Sequence, residues 1–333
     1  MAKKWTAEEV LDLARLFQPA CVLAAAADLD VFTLLGEKPM TAQVLACDLG
    51  TDPRATTILL DALVALEFLA KEGNDYSVPE EVAELLTEKS ANSVLPVVRH
   101  LANCHRRWAM LAVVTQTGKP AERTPSTRGQ AADQADFIGA MHNFSGPIAD
   151  EVVDKLHPLK FDHLLDIGGA SGAWTIAFLR SVSKAKATLF DLPPVISMAE
   201  RRIAEAGLGD RVSLVPGDFY TDDLPDGADL AWLGAICHQN SREQNRALFT
   251  KIHKALKDDG VVVIRDVVMD PSHTSPKGGA MFAVNMLVAT EGGGTYTFDE
   301  YSHDLSEAGF VEVKLVHRDE FMNSLIRAEK VQK

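Results

Sequence analysis

Paired cysteines, a surplus of basic residues and a long unbroken apolar run are all absent from this 333-residue chain. Its four cysteines (Cys21, Cys47, Cys104, Cys237) are scattered, with no C-x-x-C among them. That excludes a disulfide framework and is the pattern of a reduced, cytoplasmic protein. Asp and Glu outnumber Lys and Arg by 47 to 33, for a formal charge of -14. Binding phosphates takes a basic patch, so neither nucleic acid nor a membrane surface is an expected partner. No apolar h-region follows MAKKWTAEEV, and no signal peptide is expected. The stretch ACVLAAAADLDVFTLL is broken by Asp28 and Asp30 and is too short to span a membrane. There is no internal repeat or low-complexity tract.

What is present is globular material in enough quantity for two domains, 47% hydrophobic and 24% charged. The first hundred residues read as short, well-punctuated helices. Thr6-Ala7-Glu8-Glu9 fits a capping box, and Asp52-Pro53 an N-cap with proline in the first helical position. Two strand-like runs flank Gly73-Asn74-Asp75, as in a β-hairpin. Helices followed by a hairpin predict a winged-helix unit, either a structural, dimerising module or a DNA binder. The segment PRATTILLDALVALE, where a recognition helix would lie, has one arginine against two acids, which disfavours DNA. Residues from about 95 to 155 read as helical linkers. From 163 onward short β-rich runs (HLLDI, KATLFD, RVSLVPGD, ADLAWLGAI, GVVVIRDVV) alternate with helical stretches. That rhythm predicts an α/β fold with a parallel, doubly wound sheet, closed by an antiparallel pair in the tail.

After the first of these strands comes Asp166-Ile167-Gly168-Gly169-Ala170-Ser171-Gly172. Glycines between strand and helix let the backbone approach a ligand. The pattern is not the G-x-G-x-x-G of a dinucleotide site. An acid ahead of the glycines suits a cofactor carrying positive charge, and S-adenosyl-L-methionine fits that better than a pyrophosphate. The second strand ends in Asp191, placed to accept ribose hydroxyls, and the third in Asp218-Phe219, an acid and an aromatic ring for adenine. Three acids at successive strand ends point into the crevice where open α/β sheets bind ligands.

Taken together, LLDIGGASGAW, LFDLPPV, PGDFY, the histidine after the fourth strand and the stretch from GGGTYT to EAGF resemble the S-adenosylmethionine-dependent O-methyltransferases of the caffeate and acetylserotonin (hydroxyindole) type. The resemblance covers nearly the whole chain. It implies a Rossmann-like class I methyltransferase domain over 156–333, a helical linker contributing to the active site over 101–155, and a winged-helix domain over 1–100 that forms a homodimer. It also implies cofactor contacts from Asp166, Gly168, Gly169, Asp191, Leu192, Asp218 and Phe219, with Ser145 at the cofactor carboxylate. Phe137, Met141, Asn285, Met286 and Thr295 would line the acceptor, although helix packing explains Phe137 and Met141 equally well.

Removing a hydroxyl proton for attack on a methyl group calls for a base with a pKa near neutrality. His238 lies just past the fourth strand, at the same sheet edge as the three acids. The resemblance makes it the general base, with Asp266 in place of the first of two glutamates found in plant members. The second glutamate falls at Thr295, which carries no charge, and His238-Gln239-Asn240 replaces their His-Asp-Trp. His100, Cys104 and His105 have metal-like spacing but no further ligand, so no metal is expected, and a Cys237 thiol nucleophile lacks an orienting partner. The expected function is methyl transfer to a hydroxyl of a small organic acceptor. The alternatives are a relative that decarboxylates, hydroxylates or cyclises, and a winged-helix regulator that senses the cofactor.

Overall fold

In the computed structural model residues 3–331 are described. They form two compact units, residues 3–106 with 123–143, and residues 107–122 with 144–331. The linker stretch 101–155 is thus shared between them.

The first unit opens on the helix Ala7–Arg15, whose capping box forms as expected: Thr6 Oγ1 accepts from the Glu9 amide and the Glu9 carboxylate from the Thr6 amide. The chain turns through Leu16 almost directly into the helix Phe17–Asp28. Together they make a 22-residue run, Ala7–Asp28, with an 18-residue window of mean hydropathy 1.5, long and apolar enough by length and composition to cross a membrane. Sequence alone counted only the part from Ala20, because the capped start concealed that the two helices join. Val10, Leu11, Leu13 and Phe17 all stand exposed on it. The helices Ala42–Leu49 and Pro53–Ala65 follow, the second capped by Asp52 with Pro53 at its first position. Strands Ala70–Glu72 and Asp75–Ser77 pair antiparallel, and Met40–Thr41 adds a third. This is the predicted winged-helix arrangement. Asp61 on the Pro53–Ala65 helix accepts from Lys71 Nζ at 2.6 Å and the Tyr76 hydroxyl at 2.7 Å, tying helix to wing.

The second unit carries a seven-stranded sheet: β1 (His163–Ile167), β2 (Lys186–Asp191), β3 (Val212–Pro216), β4 (Ala228–Gly234), β5 (Leu256–Asp266), β6 (Val311–His317) and β7 (Ser324–Glu329). Their order is 6-7-5-4-1-2-3. Neighbours from β3 to β5 run parallel, while β7 is antiparallel to both β5 and β6. From β1 onward its α-helices are α1 (Ala173–Ser181), α2 (Pro193–Glu205), α3 (Arg242–Ala255), α4 (Lys277–Ala289) and α5 (Phe298–Glu307). Alternate strand residues feed opposite cores: Leu164, Leu189 and Trp232 on one face with Phe178 of α1, and Leu165, Ile167 and Ile264 on the other with Phe249 of α3. Each such side chain contributes about 1.5–3 kcal/mol on burial, which fixes strand register and so the placement of the strand-end residues. The order in which strands are added reverses between β1 and β4, and there the crevice of such a sheet opens.

Two local differences from the sequence reading bear on the site. The fourth strand stops at Gly234, because Ala235 takes a left-handed backbone (φ +60°), so Ala235 and Ile236 lie outside the ladder. Asp166 lies within β1, one residue short of its end, and is buried.

Candidate active site

The glycine turn after β1 is built from backbone that side chains would obstruct. Gly168 has φ +68°, and a Cβ there would fall 2.8 Å from Ile236 Cδ1 and 3.8 Å from the Phe219 ring. Its amide donates to the Phe190 carbonyl at 2.8 Å, anchoring the turn to β2. A Cβ on Gly169 would lie 2.5 Å from Leu189. The Asp191 carboxylate closes the turn by accepting the Ala170 amide at 2.7 Å and the Leu192 amide at 2.6 Å. Each oxygen retains a lone pair for a ligand.

Electrostatically this edge holds excess acid. Asp166 is enclosed beneath the turn, where Thr175 Oγ1 donates to it at 2.6 Å. Burial, with the nearby Asp191 charge, pushes its carboxyl up to about 7 against that hydrogen bond. Asp191 is also raised by burial, opposed by the amides of Ala170 and Leu192. Two carboxylates short of cationic partners favour a positively charged ligand. The bare backbone at Gly168 and the free lone pairs of Asp191 therefore fit S-adenosyl-L-methionine, with its sulfonium, amino group and ribose. Asp218 and Phe219 follow β3 in a turn where Asp218 Oδ1 accepts the Tyr220 amide at 2.8 Å.

His238 sits in a 3-10 turn, Cys237–Gln239, directly after β4. Its Nδ1 is 2.9 and 3.1 Å from the two oxygens of Asp266, and its main-chain amide donates to Asp266 Oδ2 at 3.1 Å. The Val267 amide adds a bond to Oδ1 at 2.8 Å. A carboxylate only accepts, so the imidazole proton sits on Nδ1 and Nε2 keeps its lone pair. The ring edge packs on Phe282 of α4, centroids 4.8 Å apart at 82°, and Phe282 packs in turn on Phe321. Behind it, the Gly294 amide donates to the His238 carbonyl at 2.9 Å, and a Cβ on Gly293 would fall 2.5 Å from that oxygen. Burial raises the Cys237 thiol well above its usual range, so it stays protonated and is no nucleophile. His105 faces Cys21 while His100 faces Cys104, which splits the metal-like spacing.

The structure thus brings Gly168, Gly169, Asp191, Leu192, Asp218, Phe219, His238 and Asp266 to one edge of one sheet. Asn285 is one turn along α4 from Phe282, and its Oδ1 accepts from Trp108 Nε1 at 2.9 Å. Met286 is buried on the same helix, and Thr295 is buried with its hydroxyl 3.4 Å from the Gly279 carbonyl. Ser145 ends the helix Gln130–Ser145, and its side chain forms no hydrogen bond among the described residues. Phe137 and Met141 belong to the first unit, where the Phe137 ring packs 5.2 Å from His100. Sequence reasoning missed Thr175, Trp108, Tyr220 and Gly293. Only Gly293 had a visible signal, the triple glycine.

The family profile described as an O-methyltransferase domain matches residues 124–311. The chain belongs to the O-methyltransferase family. A second profile, the O-methyltransferase dimerisation domain, matches residues 11–89 of this methyltransferase. Its methyl donor, as for the family, is S-adenosyl-L-methionine. Among its relatives is the tetracenomycin polyketide synthesis 8-O-methyl transferase TcmO of Streptomyces glaucescens, 31% identical over 92% of each chain. Another is the L-tyrosine C(3)-methyltransferase of Streptomyces lavendulae, 28% identical over 86% of this chain and 82% of its own. Human N-acetylserotonin methyltransferase, solved in complex with SAM, shares the fold over 100% of both chains with a TM-score of 0.78 and 24% identity.

Proposed function

We propose that the methyltransferase alkylates a hydroxyl of a small aromatic, secondary-metabolite-like acceptor, with His238 as general base. The observation that carries this reading is the buried His238–Asp266 pair, with Nε2 left basic, at the sheet edge that bears the glycine turn. The name of the relative TcmO supports a polyketide-like aromatic acceptor and attack by oxygen.

When bound, the cofactor supplies a methyl group made electrophilic by its sulfonium. Gly168 and Gly169 give it backbone room, Asp191 and Leu192 hold its ribose, Asp218 and Phe219 its adenine, and Ser145 its carboxylate. Asp166 supports the turn from below and contributes charge. His238 Nε2 takes the proton from the acceptor hydroxyl, and Asp266 stabilises the imidazolium that results, a service worth about 10²–10⁴ in rate. Phe282 shields one side of the imidazole from water. Asn285, Met286 and Thr295 line the acceptor. The enzyme works in the cytoplasm as a homodimer through its N-terminal domain, where the apolar face of Ala7–Asp28 would be covered by the second subunit.

The test is incubation of the purified protein with methyl-labelled S-adenosyl-L-methionine and a panel of hydroxylated aromatics, with matched amines and O-blocked analogues. Label is expected on phenolic oxygen. Label on carbon or nitrogen alone would contradict the proposal.

A further inference from the structure

Asn240, two residues past the proposed base, takes no part in that chemistry, yet it is wholly buried. Its amide is engaged at both ends. Oδ1 accepts the hydroxyl of Tyr220, and Nδ2 donates to Asn245 Oδ1 at 3.0 Å. Asn245, also buried, passes the chain on by donating through Nδ2 to the Cys237 carbonyl at 3.0 Å. The main-chain carbonyl of Asn240 accepts a second tyrosine hydroxyl, from Tyr296.

Tyr220 belongs to the turn after β3 and neighbours Phe219, their ring centroids 4.6 Å apart. That turn is firm in itself. Asp222 Oδ2 accepts the Asp218 amide at 2.8 Å, and Lys251 Nζ from α3 donates to the carbonyls of Phe219, Tyr220 and Asp222 at 3.0, 3.0 and 2.9 Å. Helix α3 therefore bears on both turns: Asn245 near its start holds the His238 turn, and Lys251 further along holds the Phe219 turn. The Tyr220 hydroxyl joins the two turns directly.

We propose that the Tyr220–Asn240 hydrogen bond is a latch that makes cofactor binding at Phe219 and the placement of His238 interdependent. The latch rests on the assignments of Asp218 and Phe219 to the cofactor and of His238 to the base. A ligand pressing on the Phe219 ring shifts Tyr220, and the shift reaches the His238 turn through a buried amide bonded at both its oxygen and its nitrogen. Letting go at any link would orphan a buried polar group, so the chain moves as one. Tyr220 and Asn240 are positioning residues. Linkage requires the converse too: a change in His238 protonation alters cofactor affinity by the same factor.

Tyr220→Phe removes the hydroxyl, keeps the ring and sits at a half-exposed position. The experiment is NMR of histidine-labelled enzyme titrated with S-adenosylhomocysteine, the His238 signal being identified by its loss in His238→Gln. In wild type, saturation shifts the His238 resonance and its titration midpoint. In Tyr220→Phe the same saturation moves them by roughly half or less. Lys251→Met loosens the same turn without touching Asn240, and it retains the full shift per bound ligand. In turnover, Tyr220→Phe lowers kcat about threefold to tenfold, the worth of one hydrogen bond, while the acceptor KM stays within about twofold. The proposal is overturned if S-adenosylhomocysteine moves His238 equally in wild type and Tyr220→Phe, or leaves it unmoved in wild type. Because the NMR reads placement and not turnover, failure of the base assignment shows separately, as methylation surviving in His238→Ala.

Discussion

Asp166 and Asp266 lie at the carboxyl ends of strands β1 and β5 of the same sheet, and each is 1% exposed. Asp166 receives a single side-chain donor, Thr175, and shares its surroundings with another acid, Asp191. Asp266 receives three N–H bonds, from the His238 amide, His238 Nδ1 and the Val267 amide. Burial alone drives a carboxylic acid toward its neutral form, and donors oppose it. At β1 burial wins and the group titrates near neutrality, so the glycine turn has charge to gain from a cationic ligand. At β5 three donors are built in, from the His238 turn and from Val267. One residue type thus occupies two settings at one sheet edge, beside another acid at β1 and beside a histidine at β5.

Each half of this comparison can be broken separately. The largest effect is expected for Asp266→Asn, since an amide can donate to Nδ1 and so favour the wrong tautomer. Its kcat is predicted to fall by about 10²–10⁴ while S-adenosylhomocysteine affinity holds, and loss of affinity with kcat intact would contradict this. Asp191→Ala should do the reverse, raising the S-adenosylhomocysteine Kd by about tenfold to a hundredfold as charge-assisted bonds are lost. Unchanged affinity in calorimetry would remove Asp191 from the site. The smallest effect is on stability. Asp166 has its folded value, about 7, above the ordinary 3.8, so the folded protein holds a proton that the unfolded chain releases. Its contribution is most favourable below about pH 4 and is lost as pH rises through 7. Asp166→Asn should therefore raise the Tm of the ligand-free protein by about 2–5 °C at pH 8, with the gain shrinking toward pH 4. A pH-independent difference would contradict the assigned burial.

Much of this was legible in the sequence because it depends on order along the chain. Strand-helix alternation, the glycines after β1, the capping box at Thr6 and the acids at strand ends are all local patterns. His238 could be named from its place just past the fourth strand, and Asp266 only through the family resemblance; the parallel pairing of their strands brings them to one edge. The Asp166 side chain was expected to point into the crevice, and strand alternation one residue from the end sends it under the turn instead. The links Tyr220–Asn240 and Trp108–Asn285 were invisible, since they join residues far apart in sequence through amides and rings that have no motif. The union of the first two helices was hidden by a capping signal that was itself correct.

The most direct test of the account is the rate of methyl transfer by His238→Ala to an acceptor found with the wild-type enzyme, with S-adenosylhomocysteine affinity measured on the same preparation. A fall of about 10²–10⁴ in kcat with cofactor affinity unchanged is predicted. Methylation at the wild-type rate would contradict it.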